Sequence, residues 1–412
     1  MPVTPAPAER LQRYAQLAVR VGANVQPGQE VFLRADLEHA PIAEAIAEEA
    51  YRAGAFRVTV EFQDARVRRS ALEHAPLEAL TSAPEWMLAR LRELDEAGAA
   101  LISLTGNADP HAFDGLPAER VSAVPLNLAQ ESRRVTLGGR VTWTILAAPN
   151  PGWAGAVFGE PDVERLWAAV GVAMRLDEDD VVAAWREQHR KLSGRAGALT
   201  ALGLDAVRYR GEGTDLTVGL VPGCVWTGGG LTRDDGLTYM PNLPTEEVFT
   251  SPDRSRADGT IRLTRPLVMP RAGAVVEGLV VEFAGGRIVD VTADSGVDLV
   301  RAELDTDEGA RSLGEVSLVD GSSRVRAAGV VFHDTLFDEN AGCHVAWGQA
   351  FPFAVAGGMD KSSEQLAALG LNTSSVHTDV VVGGPGVDVD GILPDGGVVP
   401  IIVDDRWAPE FA

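Results

Sequence analysis

The sequence predicts an N-terminal α/β domain with an open, mostly parallel sheet, followed by a β-rich C-terminal domain. Three observations predict it: a length of 412 residues, alternating strand and helix patterns near the N-terminus, and a later change to short strands separated by glycine turns. One hydrophobic core rarely supports a chain of this length. We place the boundary near residue 198, which gives domains 1–198 and 199–412.

The first domain begins with a βαβ pattern over residues 31–62. Residues 31–35 form a short apolar run, residues 41–52 have helical periodicity with proline at their start, and residues 56–62 alternate between apolar and polar side chains. Another helix-to-strand alternation spans residues 84–104. Helices that alternate with strands favour a parallel sheet. The absence of a Gly-x-Gly-x-x-Gly motif at a strand end disfavours a nucleotide site.

The pattern changes after two helical stretches at about 161–175 and 178–194. Short strands with alternating polarity are then predicted at residues 206–210, 215–220, 278–283 and 287–291. A helix is predicted from Gly296 to Glu308. This second domain is therefore expected to be rich in β-strands with a few helices.

Composition limits the class of protein. The formal net charge is −23, and residues 273–412 hold 23 acidic side chains against 7 basic ones, which disfavours nucleic acid and anionic membrane as partners. Such a charge favours divalent metals and protonated peptide amino termini, although solubility alone also explains it. The two cysteines, Cys224 and Cys343, lie too far apart in sequence to indicate a disulfide framework. No long apolar run or secretory signal pattern is present, so a cytoplasmic protein is expected.

A segment bracketed by prolines, Met240–Asp253, carries two adjacent carboxylates, Glu246 and Glu247. Each of its three prolines restricts φ and removes a backbone donor. The segment is therefore predicted to be a rigid ligand loop rather than a helix or a central strand.

Further carboxylates and imidazoles follow. Glu315 interrupts an apolar, strand-like run, so it needs a partner if buried, or else lies at a strand edge in water. His344 follows a segment in which Asp334 or Thr335 could cap a short helix that ends at Gly342. Alternatively, the acidic residues of this segment are only caps and solvated charges.

His377 and Asp379 lie two residues apart in a predicted strand. Both side chains therefore leave the same face, roughly 6–7 Å apart along the backbone. Such a pair can contact one ion or two neighbouring ions. An exposed polar strand face is the alternative interpretation.

Together these signals make a ligand set of carboxylates and imidazoles without a thiolate. The candidates are Glu247, Glu315, Glu339, His344, His377 and Asp379. One tetrahedral zinc ion would not need so many ligands. Two divalent ions roughly 3.5–4 Å apart would, because one carboxylate must bridge them and others must neutralise their charge.

Several motifs resemble the M29 family of metalloaminopeptidases, the aminopeptidase T and aminopeptidase S group. In the order found in that family they are Gly213–Leu216, Pro244–Thr250, Leu313–Glu315, Phe337–Ala341 and the His-x-Asp of residues 377–379. The resemblance spans nearly the whole chain, but its specific parts lie beyond residue 211.

The resemblance implies a homodimeric enzyme that removes N-terminal amino acids from peptides with the help of two zinc, cobalt or magnesium-type ions. It also implies the metal ligands, which are Glu247, Glu315, His344, His377 and Asp379. Glu315 is the candidate bridge and a catalytic residue. Glu339 matches a further acidic position and is assigned as a ligand or the general base.

One position departs from the family. Phe351 stands seven residues after His344, where the family carries a tyrosine. If that phenol contacts a metal or the tetrahedral intermediate, its loss would cost ~10²–10³ in rate. A non-catalytic metal-binding protein is therefore an alternative function.

Another alternative is a mononuclear iron dioxygenase of the 2,5-dihydroxypyridine type, because those ring-opening enzymes resemble this family. His344, His377 and Asp379 could supply its two-histidine, one-carboxylate site. Glu247 and Glu315 argue against it, since they would leave surplus negative charge beside a single ion.

Overall fold

A computed structural model of the protein describes residues 6–106, 108–269 and 274–412. By its internal contacts the chain divides into two compact units. The first contains Met1–Glu187, Gly230–Pro244 and Ala328–Leu336, and the second contains Gln188–Gly229, Thr245–Ala327 and Phe337–Ala412. The single boundary near residue 198 stays a prediction.

The strands are numbered along the chain. The first eleven are β1 (Glu30–Asp36), β2 (Arg57–Gln63), β3 (Ala100–Thr105), β4 (Thr142–Ala147), β5 (Ala206–Gly211), β6 (Thr214–Leu220), β7 (Thr227–Gly228), β8 (Leu231–Thr232), β9 (Thr238–Tyr239), β10 (Asn242–Leu243) and β11 (Val248–Thr250). The others are β12 (Pro252–Arg262), β13 (Leu267–Met269), β14 (Ala274–Val276), β15 (Val280–Ala284), β16 (Arg287–Thr292), β17 (Leu313–Leu318), β18 (His344–Gly348), β19 (His377–Val381), β20 (Asp388–Ile392), β21 (Val398–Val403) and β22 (Arg406–Trp407).

The helices are numbered in the same way. They are α1 (Pro7–Leu17), α2 (Ala40–Arg52), α3 (Ala65–His74), α4 (Leu77–Thr81), α5 (Glu85–Glu96), α6 (Ala118–Val121), α7 (Leu126–Leu137), α8 (Pro151–Phe158), α9 (Val163–Ala173), α10 (Val181–Leu202), α11 (Val297–Leu304), α12 (Arg324–Ala327), α13 (Thr335–Asp338) and α14 (Ser363–Ala368).

The first unit is built on a parallel sheet, as the sequence predicts. Its strand order is β10-β4-β3-β1-β2, and every neighbouring pair runs in the same direction. The βαβ prediction is confirmed, because β1 and β2 pair in parallel with α2 between them. A proline in the first turn of α2 starts the helix, and Ile42, Ala43, Ile46 and Ala50 form its buried stripe.

The second unit contains two antiparallel sheets. One has eight strands in the order β16-β15-β12-β6-β5-β20-β21-β22, and the other has five in the order β19-β18-β17-β11-β7. Buried side chains such as Tyr209, Val316 and Trp347 belong to one core that includes strands of both sheets. All four predicted strands are present, and the predicted helix is α11, which begins after Gly296 and ends at Leu304.

The prediction for the proline-bracketed segment is wrong in one respect. Val248–Thr250 forms β11, an interior strand between β17 and β7. The prolines do not prevent this pairing, because Pro244 precedes the strand and Pro252 is the first residue of β12, so no ladder donor of β11 is lost.

Among the residues that the structure describes, no helix combines the length and the apolar composition needed to cross a bilayer. Residues 1–5, part of the N-terminus in which no secretory signal pattern is found, lie outside the described residues.

Candidate metal centre

Strand pairing places the candidate ligands on one face of the five-stranded sheet. Glu315 of β17 lies opposite Ala346 of β18, and Ala346 lies opposite Asp379 of β19. Directly opposed residues of antiparallel strands project from the same face. The two carboxylates therefore lie on either side of a small side chain.

The same face carries both imidazoles. His344 lies opposite Ser317, and His377 lies opposite Gly348. Gly348 has a φ of +101°, and a Cβ there would approach the carbonyl oxygen of Val376 to 2.1 Å, so no other residue fits without rearrangement. Strand β18 therefore places little side-chain volume between the ligands of β17 and those of β19.

Glu247 reaches the site from the residue before β11. Two residues later Phe249 pairs with Ser317, so Glu247 and Phe249 project on the ligand face. The hydroxyl of Ser317 donates to Glu247 Oε2 at 2.8 Å. This bond ties the carboxylate to the central strand.

Two groups of potential ligands overlap at Glu315. Glu247, Glu315 and His344 form the first group, and Glu315, His377 and Asp379 form the second. Within each group the donor atoms lie within 4.8 Å of one another, with one atom contributed by each residue. The geometry is therefore that of two adjacent cation sites with one shared carboxylate.

The shortest approaches run from the Nε2 atoms to carboxylate oxygens. His344 Nε2 lies 3.1 Å from Glu247 Oε2 and 3.7 Å from Glu315 Oε1. His377 Nε2 lies 3.3 Å from Glu315 Oε2 and 3.5 Å from Asp379 Oδ1. His344 Nε2 also lies 4.0 Å from Asp379 Oδ1, so His344 faces three carboxylates and His377 faces two.

Backbone carbonyls orient both rings. His344 Nδ1 lies 3.2 Å from the carbonyl oxygen of Gly342, and His377 Nδ1 lies 2.8 Å from that of Gln349. A carbonyl only accepts hydrogen bonds, so each Nδ1 carries the proton and Nε2 is the atom available to a metal ion.

Burial decides between the two interpretations of Glu315 that the sequence left open, a paired buried carboxylate or a strand edge in water. Glu315 is 4% exposed in an interior strand, so the strand-edge interpretation is wrong. Glu247 is 7% exposed and His344 is 1% exposed. The side chain of Asp379 is 6% exposed, whereas that of His377 is 27% exposed. Solvent therefore reaches the site on the His377 side.

The pKa shifts follow from this concentration of buried charge. Burial raises the pKa of Glu247; the nearby His344 lowers it and the charge of Glu315 raises it, so that the pKa stays above its usual value. Burial lowers the pKa of His344, but its carboxylate neighbours raise that pKa well above the usual imidazole value. For Asp379, burial raises the pKa, but its neighbours, His377 foremost, together lower it below the usual value.

The donor set fits divalent cations. Buried carboxylates are stable only when paired or bound to a cation, and here they outnumber the imidazoles. In addition, His344 Nε2 is buried without a hydrogen bond of good geometry among the described residues, despite its short distance to Glu247. A cation between His344 Nε2 and Glu247 Oε2 would provide both atoms with a partner.

Glu339 lies beside the two groups but belongs to neither of them within the described residues. It follows α13 in a short 3₁₀ helix, Glu339–Ala341, so the predicted helix before His344 is present. Burial and the charges of Asp379 and Glu247 raise the pKa of Glu339 well above its usual range. Its carboxyl is therefore suited to hold and transfer a proton.

Glu246 has a different environment from its neighbour Glu247. Its carboxylate accepts from Gln188 Nε2 at 2.8 Å and from the backbone N–H of Arg324 at 3.2 Å. Its own backbone N–H donates to Asn340 Oδ1 at 2.7 Å. Glu246 therefore holds the segment in place while Glu247 faces the ligands.

Sequence reasoning missed Ser317, Ala346 and Gly348. The signal for Ser317 was its spacing of two residues from Glu315 in a strand, which places both side chains on one face. Nothing in the local sequence marks Ala346 or Gly348, because their importance comes from the strands on either side.

Comparisons with known proteins agree with this geometry. The family described as thermophilic metalloprotease (M29) matches residues 8–407. The chain belongs to the M29 family. Aminopeptidase T of Thermus aquaticus is 42% identical over 407 residues, covering 97% of this chain and 98% of the relative.

Solved structures place this M29 chain in the same fold. Wild-type AmpT from Thermus thermophilus matches with a TM-score of 0.89 and 39% identity, covering 98% of this chain and all of the other. The predicted fold class is thereby confirmed. The 2,5-dihydroxypyridine dioxygenase from Pseudomonas putida KT2440 matches with a TM-score of 0.55 and 14% identity over 98% of each chain, which shows a shared fold alone.

The bond from Ser317 to Glu247 generates a stability prediction. Ser317→Ala removes a buried donor to a carboxylate, so we expect a loss of about 1.5–3 kcal/mol in the free energy of unfolding. The control is Ser255→Ala, which removes a similar bond to Asp253 on the surface and should have little effect. Urea denaturation of both variants measures the difference. Equal stability of the two variants would contradict the assigned bond.

Proposed function

We propose that this protein is a two-metal aminopeptidase that hydrolyses N-terminal amino acids from peptides. The observation that carries the proposal is the pair of ligand groups that share Glu315 on one buried sheet face. Membership of the M29 family and the aminopeptidase names of its relatives support the reaction class.

The two groups define the proposed metal ligands. Glu247, Glu315 and His344 would hold one ion, and Glu315, His377 and Asp379 would hold the other, with Glu315 as the bridge. Ligands of this kind suit zinc, cobalt or magnesium-type ions. When bound, such ions activate a water molecule as the nucleophile and polarise the scissile carbonyl.

The protein's own side chains would bind the substrate and move protons. A peptide would bind with its α-amine and first carbonyl beside the two ligand groups, which places the first peptide bond next to Glu339. Glu339 would accept the proton of the attacking water on a carboxylate oxygen and transfer it to the leaving amine nitrogen.

The dioxygenase alternative is weaker. Its site would need both imidazoles on one ion, but His344 and His377 fall in two separate ligand groups that share Glu315. Glu247 and Glu315 would also add two charges that a single iron does not need. The distant structural likeness carries no chemistry.

The first prediction from this proposal concerns chelation. Exhaustive removal of metal should abolish hydrolysis of aminoacyl anilides, and Co²⁺ or Zn²⁺ should restore it, since the proposed site contains no covalent nucleophile. Hydrolysis that persists without metal would refute the proposal. Metal binding without any hydrolysis would favour the non-catalytic alternative that Phe351 suggests.

The shared carboxylate generates a second prediction. Glu315→Gln should lower the bound metal from two ions per subunit towards none, whereas Asp379→Asn should remove mainly one ion. The control is Glu282→Gln, at an exposed position of β15, which should keep both ions. Metal analysis after dialysis measures the content. If Glu315→Gln and Asp379→Asn lose the same single ion, Glu315 is not the bridge.

We also propose a homodimer, on the basis of the family resemblance. Light scattering should then give about twice the 43.6 kDa mass of one chain. A mass that stays at the single-chain value across a wide concentration range would disprove it.

A further inference from the structure

Three phenylalanines, Phe249, Phe351 and Phe353, form an aromatic wall beside the second ligand group. The ring centroids of Phe351 and Phe353 lie 5.2 Å apart in a stacked arrangement. Phe249 meets Phe351 and Phe353 edge-on at 5.8 and 6.0 Å. The ring of Phe351 also lies 5.1 Å from that of His377. The wall therefore contacts His377, which is itself one of the proposed metal ligands.

The backbone holds the wall in place. Phe249 lies in the interior strand β11. The backbone N–H of Phe351 donates to Ser251 Oγ at 3.0 Å, and the Ser251 hydroxyl lies 3.3 Å from the carbonyl oxygen of Phe351. Phe353 lies in a 3₁₀ turn closed by the bond from Ala354 N–H to Phe351 O. These contacts preorganise an apolar surface without a ligand.

The wall is not fully covered. All three rings are only partly buried, although aromatic rings of a closed core would be sealed from water. Ligand pockets typically combine such apolar walls with a few polar groups that fix orientation. Here the polar groups are the carboxylates and imidazoles of the candidate metal centre, which adjoin the wall at His377.

We propose that the aromatic wall is the subsite for the side chain of the substrate's N-terminal residue, and that it selects large apolar and aromatic residues. This inference rests on the proposed function. In an aminopeptidase substrate the first side chain leaves a carbon bonded to both the α-amine and the scissile carbonyl. Since both groups must bind at the ligands, that side chain must lie beside them, and on the solvent-accessible His377 side it meets Phe351.

The apolar character of the wall supports the same selection. An acidic N-terminal side chain would lose hydration against the three aromatic rings. An alanine side chain offers little apolar area to cover them. A phenylalanine or leucine side chain would cover the rings and exclude water from them.

The role of Phe351 changes under this inference. A tyrosine hydroxyl at this position would put a polar group on the wall, and Phe351 instead completes an unbroken apolar surface with Phe249 and Phe353. The departure from the family pattern is then a matter of side-chain selection.

The test compares anilides of Phe, Leu, Ala and Asp on the metal-loaded protein. We expect kcat/KM for Phe to exceed that for Ala by ~10-fold or more, and Phe353→Ala to lower this ratio by ~10-fold, mainly through KM for Phe. Phe56→Ala, which removes an exposed ring in the first unit, is the control and should keep the ratio. A ratio that is unchanged in Phe353→Ala overturns the inference.

A binding measurement separates this inference from the proposed function. Calorimetry with free L-phenylalanine and L-alanine should show tighter binding of L-phenylalanine to the native protein and loss of that difference in Phe353→Ala. If no anilide is hydrolysed, the proposed function fails, and calorimetry alone decides the subsite. Equal binding of the two amino acids overturns it. Phe353→Leu replaces Phe353→Ala if the latter does not fold, and is expected to keep selection for Leu while losing part of that for Phe.

Discussion

The structure of the candidate site depends on one electrostatic constraint, the concentration of buried carboxylates on a single sheet face. Glu247, Glu315 and Asp379 are each at least nine-tenths buried, as residues or side chains, and they converge on two imidazoles. Such an arrangement is stable only with compensating positive charge. In the absence of metal, protons supply that charge through the raised pKa values of His344 and His377, and bound divalent ions would take the place of the protons on Nε2.

Two features of the five-stranded sheet accommodate this concentration of carboxylates. Its central strand, β17, alternates between ligand face and core, so that Val316 and Leu318 pack in the second unit's hydrophobic core while Glu315 and Ser317 face the ligands. The neighbouring strand presents only Ala346 and Gly348 between the ligands of β17 and β19. Small residues there keep room for ions, and the packed reverse face keeps the carboxylates in position.

The same sheet joins the candidate metal ligands to the proposed side-chain subsite. The segment around β11 carries Glu247, which faces the imidazoles, and two residues later Phe249, which belongs to the aromatic wall. A change in this short segment would therefore affect both properties. The distant fold relationship to a dioxygenase illustrates the general point that a fold can carry different chemistry, because the reaction depends on which side chains occupy the face.

The sequence by itself determined much of this protein. Periodicity predicted the βαβ start and four short strands of the second unit, because alternation of apolar residues reflects local geometry. Their antiparallel pairing came only from the structure. Motif order indicated the family, and the charges and spacing of Glu315, His377 and Asp379 indicated a site for cations. Local sequence could not decide whether Glu315 lay at an edge or in the interior, nor that Val248–Thr250 would pair as a central strand. These features depend on which strands become neighbours. Register across β17, β18 and β19 also decided that Ala346 and Gly348 would separate the ligands. The fold likewise brought Phe249 against Phe351 and Phe353, which come much later in the sequence, and Phe351 against His377. Tertiary structure alone decides such contacts, because they join segments that are distant in the sequence and the local sequence of one segment does not specify its partner.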